Sequence, residues 1–312
     1  SPPPRHSRRA LKKLTGSICA LATPFRGDGL DLAAFGALID YQLAGGTQGL
    51  VVAGSTGEAH ALSEAEFERA LAFALERVAG RVPVLAGTGT ASTRKTITAT
   101  RRAHAIGADA ALVVTPYYVR PTQEGLYRHF SATADEAGLP IVLYNVPSRT
   151  GCDMLPETAA RLAAHERIAG IKEACNDDAR IAAVVALKRP DFAVLSGDDG
   201  TCAQAMLSGA DGVISVAANV APAAMRALCD AALANTAGRA RELDGKLTEL
   251  YALLGTEPNP IPVKWCLHEI GICLPDPRLP LTPFGTMHHE GARQVLGALN
   301  LAAVQQRHSG VA

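Results

Sequence analysis

The sequence lacks the features that would point to a membrane or a nucleic acid as its partner. No apolar run approaches the ~18 residues that a membrane-spanning helix needs, and no apolar signal core lies near the first residue. The 30 basic and 30 acidic residues give a formal net charge of zero. That balance gives no general reason to expect binding to a nucleic acid or to a membrane surface. We therefore expect neither partner.

Paired cysteines and zinc-ligand spacing are also missing. The seven cysteines are scattered, with no CxxC pair among them. An odd number at irregular spacing in a chain of this length is typical of reduced, buried thiols in a cytosolic protein. The expected location is therefore the cytoplasm. These cysteines are Cys19, Cys152, Cys175, Cys202, Cys229, Cys266 and Cys273.

The usual signatures of phosphate, dinucleotide and metal sites are absent as well. There is no GxxxxGK[ST] loop and no complete GxGxxG. His288, His289 and Glu290 are adjacent, and neighbours on a helix point about 100° apart, so they do not converge on one ion. Asp198 and Asp199 have no histidine at a nearby strand end. We expect no metal and no bound cofactor.

Eight short apolar runs recur along the chain with helical segments between them. Most are continuous in hydrophobicity rather than alternating, which is typical of parallel strands covered on both faces. Eight repeats of strand and helix favour an α/β fold that closes into a (β/α)8 TIM barrel. The runs are residues 17–23, 49–53, 82–86, 110–114, 141–144, 168–171, 192–195 and 212–216.

The clearest helix is predicted at residues 63–78. Ser63 and Glu66 match a capping box, in which each side chain binds a free backbone N–H at the start of the helix. Apolar residues then follow at the i, i+3, i+4 spacing of a single buried face. That face comprises Phe67, Ala70, Leu71, Ala74, Leu75 and Val78.

The pattern changes near residue 235, which divides the chain into three predicted parts. Residues 1–14 are basic and Pro-rich, and this composition predicts a disordered or loosely attached tail. Residues 15–235 form the catalytic barrel. Residues 236–312 form a C-terminal helical domain, with helices expected at 238–254, 261–270 and 285–305 and no strands between them.

Lys172 is the most informative residue, because it ends an apolar strand (IAGIK). In a (β/α)8 barrel, reactive groups lie at the carboxyl ends of the strands. Burial there disfavours the charged ammonium, and a free amine can attack a ketone to form an imine. A lysine at a strand end more often only reaches towards solvent. The polar residues at the neighbouring strand ends favour the chemical interpretation.

The other candidates come from adjacent strand ends. Tyr144 could move protons during imine formation, but a phenol is a poor base alone and needs a relay, for which Ser55, Thr56 and Tyr118 are candidates. The GSTGE loop (residues 54–58) brings two hydroxyls and close backbone N–H groups together, which suits a small carboxylate. Arg149 offers a planar fork for a second carboxylate.

These residues lie in strings that resemble the dihydrodipicolinate synthase family, a branch of the N-acetylneuraminate lyase superfamily of class I pyruvate aldolases. The resemblance covers about residues 14–303. The strings at 144–151 and 259–265 are characteristic of the synthase branch. The strings are GSTGE, VTPYY, LYNVPSRTG, GIKEA, LSGDD and EPNPIPVKW.

The resemblance implies a lyase that condenses pyruvate with L-aspartate 4-semialdehyde in lysine and diaminopimelate biosynthesis. It implies an imine on Lys172, and a proton relay of Tyr144, Ser55 and a Tyr118 that reaches in from a neighbouring subunit of a homotetramer, a dimer of dimers. No cofactor is required. The resemblance assigns substrate binding to Thr56 for the pyruvate carboxylate, to Arg149 for the second carboxylate, and to Gly197 and Ile214.

The chain departs from the family pattern at two places. Its hydroxyl pair is Ser55-Thr56 where the family usually has two threonines, so the relay should persist with looser positioning. The positions matching the lysine-inhibition site of bacterial relatives are Glu64, Phe67, Ala91 and Lys95. A cationic Lys95 repels the ammonium of lysine and Ala91 cannot bind its carboxylate, so lysine feedback should be weak or absent.

Three other functions remain open from the sequence. One is another pyruvate-dependent lyase of the superfamily, acting on N-acetylneuraminate or a 2-keto-3-deoxy sugar acid. Such a site needs hydroxyl-binding groups where Arg149 stands. The others are a metal-dependent aldolase, which EDTA would inactivate, and a non-catalytic barrel that serves as a binding or scaffold protein.

Overall fold

The computed structural model describes residues 10–301 and is built around a closed barrel of eight parallel strands. Around the barrel the order is β1-β10-β9-β8-β7-β6-β5-β4, and β1 closes the ring against β4. β2 and β3 form a small antiparallel hairpin outside it, which the sequence did not predict. In chain order the strands are β1 (Gly16–Ala20), β2 (Phe25–Arg26), β3 (Gly29–Leu30), β4 (Gly49–Val52), β5 (Val84–Gly87), β6 (Ala110–Val114), β7 (Ile141–Asn145), β8 (Ile168–Glu173), β9 (Ala193–Ser196) and β10 (Gly212–Ser215).

Helices follow the barrel strands and cover the outside of the ring. The predicted (β/α)8 fold is therefore confirmed, and each of the eight predicted runs contains most of one barrel strand. In chain order the α-helices are α1 (Leu32–Ala44), α2 (Glu64–Val78), α3 (Thr93–Ile106), α4 (Gln123–Ala137), α5 (Pro147–Thr150), α6 (Pro156–Ala163), α7 (Asp178–Val185), α8 (Cys202–Leu207), α9 (Pro222–Leu233), α10 (Ala237–Gly245), α11 (Thr248–Leu254), α12 (Ile261–Glu269) and α13 (His289–Ala298).

The start of α2 has the predicted capping box. The Ser63 hydroxyl accepts from the backbone N–H of Glu66, and the Glu66 carboxylate accepts from that of Ser63, both at 3.1 Å. The predicted apolar stripe faces the barrel, but Phe67 and Leu75 are only partly buried. The stripe fixes how α2 lies on the sheet and so where the GSTGE loop before it stands.

Side chains from alternate strand positions fill the inside of the barrel. Leu14, from the predicted tail, is buried in this inner cluster, and Lys13 forms an ion pair with Asp211 at 2.9 Å. Residues 1–9 of that tail lie outside the described residues. The inner cluster also includes Ile18, Val51, Leu85, Leu112, Val142, Tyr144, Leu195 and Ile214.

Between residues 236 and 301 the chain forms four α-helices, whereas the sequence predicted three helices beyond residue 235. The expected helix 238–254 is divided into α10 and α11, and Leu247 between them is almost fully buried. Ala240 on α10 and Leu250 on α11 are both fully buried. α13 begins at His289, after a short 3-10 turn, and residues 302–305 of the predicted last helix lie outside the described residues.

Two further findings concern the described part of the chain as a whole. Each of the seven cysteines is a free thiol, and all but Cys175 are buried. Within residues 10–301 there is no helix with the length and apolar character to cross a membrane.

Candidate active site

One cavity at the carboxyl end of the barrel collects seven of the eight predicted site residues. Its volume is about 480 Å³, and the chain beyond residue 235 supplies one of its walls through Tyr251, Leu254 and Asn259. The eighth predicted residue, Tyr118, does not line it. The seven are Lys172, Tyr144, Ser55, Thr56, Arg149, Gly197 and Ile214.

Lys172 lies on β8 with its side chain inside the barrel and is only 6% exposed. Its nearest strand partner is Tyr144 on β7, and Nζ lies 4.0 Å from the centre of the Tyr144 ring. Within the described chain, Lys172 has no ion-pair partner. Without a carboxylate to bind it, the amine is placed to react with a carbonyl carbon in the cavity.

Gly197, after β9, makes room for the Lys172 side chain. A Cβ built at this position would lie 3.1 Å from Cγ of Lys172 and equally close to Ala174. Such a contact is tighter than most between side chains, so Lys172 or Ala174 would have to shift to accept a larger residue here. Ile214, on β10, is buried and closes the apolar side of the same cavity.

The GSTGE loop carries the hydroxyl groups of the site. Thr56 is almost completely buried, although it lines the cavity, and its hydroxyl oxygen accepts a 2.9 Å hydrogen bond from Nδ2 of Asn259. Ser55 is exposed and lines both this cavity and the larger one beside it. The loop therefore offers one fixed and one accessible hydroxyl.

Arg149 lies on the short helix α5, at the mouth of the cavity. It is exposed, and the structure assigns it no carboxylate partner among the described residues. It lines both the 480 Å³ cavity and a neighbouring one of about 680 Å³ that also contacts Ser55 and Tyr144. Its guanidinium is thus free to bind an incoming carboxylate.

Tyr118 stands apart from the other predicted residues. It is 89% exposed, its backbone has a φ of +72°, and its N–H donates to the carbonyl of Thr150 at 3.0 Å. Tyr117, its neighbour, lines the larger cavity instead. Within one chain, the structure does not bring the Tyr118 hydroxyl to Lys172.

A buried polar network beneath the site was missed by the sequence reasoning. Asn145 and Glu173 follow Tyr144 and Lys172 on their strands and are in register. Nδ2 of Asn145 donates to Glu173 at 2.9 Å, and Arg180 binds Glu173 at 3.2 Å and Asp153 at 2.6 Å. Burial raises the pKa of Glu173. The network holds the ends of β7 and β8 together beside the reactive residues.

A second missed group ties the GSTGE loop to the C-terminal helices. Glu58 and Lys264 are both fully buried, with Nζ of Lys264 2.7 Å from the Glu58 carboxylate. The other Glu58 oxygen accepts from the backbone N–H of Arg278 at 2.8 Å. Nζ of Lys264 also donates to the carbonyl of Thr23 at 3.0 Å. A lysine inside the otherwise apolar string of α12 was the sequence signal for a buried acidic partner.

The residues weighed as possible metal ligands have other contacts. Asp199 accepts hydrogen bonds from the backbone N–H groups of Val216 and Ala217, and burial raises its pKa. His288 stacks on Phe284 and His289 on Trp265. No group of three or more His, Cys, Asp or Glu residues suited to a metal ion occurs within residues 10–301.

Comparison with known proteins gives concordant matches over nearly the whole chain. The family model described as the dihydrodipicolinate synthetase family matches residues 13–299. A 4-hydroxy-tetrahydrodipicolinate synthase from Stenotrophomonas maltophilia is 55% identical over 293 residues, which cover 94% of this chain and 98% of the relative.

Solved structures agree with the sequence matches. A chloride-inhibited dihydrodipicolinate synthase from Acinetobacter baumannii, complexed with pyruvate, is 45% identical with a TM-score of 0.90 and covers 92% of this chain and 99% of that one. A structure described as the first monomeric dihydrodipicolinate synthase variant is 43% identical with a TM-score of 0.91, and covers 92% of this chain and 97% of that one.

Proposed function

The chain belongs to the dihydrodipicolinate synthetase family, and we propose that it works as a 4-hydroxy-tetrahydrodipicolinate synthase through an imine between Lys172 and pyruvate. It is a lyase of the class I aldolase type in lysine and diaminopimelate biosynthesis. The observation that carries the imine is the buried, unpaired amine of Lys172 in a cavity that also holds the Thr56 hydroxyl and Arg149. The relatives support this activity and not the sialic-acid or sugar-acid lyase alternative.

The reaction proceeds in three bond-forming steps. The amine of Lys172 attacks the keto carbon of pyruvate, and the keto oxygen leaves as water. Loss of a methyl proton gives an enamine, whose carbon attacks the aldehyde carbon of L-aspartate 4-semialdehyde. The amino group of that substrate then attacks the imine carbon, closes the ring and releases Lys172. One water is released overall, and neither a metal nor an organic cofactor takes part.

Proton movement in these steps is assigned to Tyr144, Ser55 and Tyr118. Tyr144 contacts the reactive amine through its ring, and Ser55 lines the same cavity. Tyr118 is exposed on its own chain, so its role requires that it enter the cavity of a second subunit. That role needs at least a dimer, and the proposal extends to a homotetramer, a dimer of dimers, in the cytoplasm. One structural relative is described as a monomeric variant, so the oligomeric state in solution directly tests the role proposed for Tyr118.

Reductive trapping tests the imine directly. Pyruvate and sodium borohydride are expected to convert the imine to a stable amine and to inactivate the enzyme. Mass measurement of the digested protein should place the added mass on the peptide that contains Lys172. A label on another lysine, or none, would overturn the assignment.

Arg149→Ala is expected to weaken capture of the aldehyde substrate far more than capture of pyruvate. The variant loses a charged, two-pronged hydrogen-bond donor for the second carboxylate, so kcat/KM for L-aspartate 4-semialdehyde should fall about 100-fold or more. The pyruvate concentration that half-saturates borohydride labelling should stay within about threefold. Arg149→Lys keeps the charge but not the planar pair of donors, so its kcat/KM for the aldehyde should lie between those of the wild type and Arg149→Ala. Equal losses for both substrates would contradict this role.

L-lysine is expected to inhibit weakly or not at all. Lys95 lines the larger cavity with Glu64 and Phe67, and its ammonium repels that of lysine. The inhibition constant should exceed about 1 mM in a steady-state assay at neutral pH. Lys95→Glu replaces the repelling cation with an attracting carboxylate and should lower that constant. Strong inhibition of the unmodified enzyme by L-lysine would contradict the repulsion assigned to Lys95.

A further inference from the structure

Asn259 makes a single direct contact with the substrate-binding loop. Its amide Nδ2 lies 2.9 Å from the hydroxyl oxygen of Thr56, across 203 residues of sequence. Both residues line the cavity that contains Lys172. Asn259 stands just before α12, so the C-terminal part of the chain touches the site here through one hydrogen bond to a hydroxyl.

That hydrogen bond decides where the hydroxyl proton of Thr56 can point. A hydroxyl has one proton to donate and two lone pairs that accept. Since the amide N–H of Asn259 occupies an accepting position, the Thr56 proton is not used in this contact and remains for another acceptor. A carboxylate only accepts hydrogen bonds. A hydroxyl held in this state therefore suits the carboxylate of pyruvate.

The loop that carries Thr56 is also held in place by contacts other than the amide of Asn259. Glu58 is held by Lys264 and by the backbone of Arg278, and the carbonyl of Gly57 accepts from the hydroxyl of Thr23 at 2.7 Å. The carbonyl oxygen of Asn259, moreover, is buried and has no hydrogen-bond partner among the described residues. A buried acceptor without a partner costs folding free energy. Because these other contacts also hold the loop, the hydrogen bond from Asn259 is not its sole anchor.

We propose that Asn259 is a positioning residue for pyruvate, which acts by orienting the hydroxyl of Thr56 as a donor to the substrate carboxylate. The inference rests on the proposed function, since it takes the bound carboxylate to be that of the pyruvate which reacts with Lys172. It goes further by assigning a role to Asn259, in the string at residues 257–265, which takes no part in the bond-forming steps.

The test measures the pyruvate concentration that half-saturates borohydride labelling of Lys172 in the full-length enzyme. In Asn259→Ala this concentration should rise about five- to tenfold, because the hydroxyl loses its orientation. The kcat at saturating pyruvate and the melting temperature should change little, since the loss is one of binding alone. Asn259→Asp should be worse than Asn259→Ala, because a carboxylate accepts the Thr56 proton and repels the substrate.

A double-variant cycle separates positioning from an independent contact. Thr56→Val should raise the half-saturating pyruvate concentration by itself, and adding Asn259→Ala should cause no further rise, because Asn259 acts through the hydroxyl that is already gone. Asn176→Ala, at an exposed amide that lines neither cavity, is the matched control and should behave as wild type.

Each outcome has a defined meaning. Additive effects of the two variants would overturn the inference, as would wild-type saturation in both Asn259→Ala and Asn259→Asp. A fall in melting temperature without any change in pyruvate saturation would also overturn it, by showing a purely structural role. In all these cases Lys172 is still labelled. If the wild-type enzyme is not labelled at Lys172, the proposed function fails instead.

Discussion

Replacing Lys172 with arginine is expected to abolish turnover, lowering kcat/KM for pyruvate by at least about 1,000-fold. Arginine keeps a long side chain and a positive charge, but its guanidinium stays protonated and cannot attack a ketone. The side chain lies inside the barrel beside Tyr144. Among residues 10–301, no other lysine lines the same cavity to replace it. A coupled assay for product and the borohydride label should both fall to background.

The matched control for this variant is Lys188→Arg. Lys188 is half-exposed on the outside of the barrel, where its Nζ donates to the carbonyl of Gly209 at 3.0 Å. Labelling and turnover should match those of the wild-type enzyme. If Lys172→Arg instead kept activity within about tenfold of wild type, nucleophilic catalysis by this residue would be refuted.

The position of Lys172 could be predicted because it depends on local sequence alone. Parallel strands buried on both faces are continuous apolar runs, and a polar residue that ends such a run must lie at the barrel rim. The same reasoning placed Tyr144, Ser55, Thr56 and Arg149 at neighbouring strand ends. All of them line the cavity with Lys172.

Contacts between distant parts of the chain could not be predicted in this way. Asn259 meets Thr56 across 203 residues and Lys264 meets Glu58 across 206. No periodicity in one sequence fixes such a pairing, because it depends on how the C-terminal helices lie across the barrel. Tyr118 is harder still, since its proposed partner is in another subunit. For Lys264 a signal did exist: a charge in a buried apolar helix requires an opposite charge nearby.

The break between α10 and α11 shows a similar limit at shorter range. The stretch 238–254 contains no proline, but it includes the weak helix former Gly245, at which α10 ends. The chain turns at Leu247, which is almost fully buried. A glycine inside a helix costs only about 1 kcal/mol, so Gly245 alone did not determine from the sequence whether the helix breaks there.

Removing the buried cation at Lys264 is expected to give the largest loss of stability. Lys264→Met keeps the length of the side chain but leaves Glu58 as a buried charge without its ion-pair partner, so the free energy of unfolding should fall by about 3–5 kcal/mol. Burial lowers the pKa of Lys264, while the Glu58 carboxylate opposes that shift. Urea denaturation followed by circular dichroism measures the change. Lys246→Met, at an exposed pair with Glu242, should cost less than about 0.5 kcal/mol.

Adding Glu58→Gln to Lys264→Met separates the cost of the unpaired charge from the loss of the contact. Glutamine is neutral and its side-chain oxygen can still accept from the backbone of Arg278, so the double variant should recover part of the lost free energy. Because Glu58 ends the loop that holds Thr56, Lys264→Met should also raise the pyruvate concentration that half-saturates labelling of Lys172. A loss no larger than that of Lys246→Met would mean that the pair does not hold the loop against the C-terminal helices.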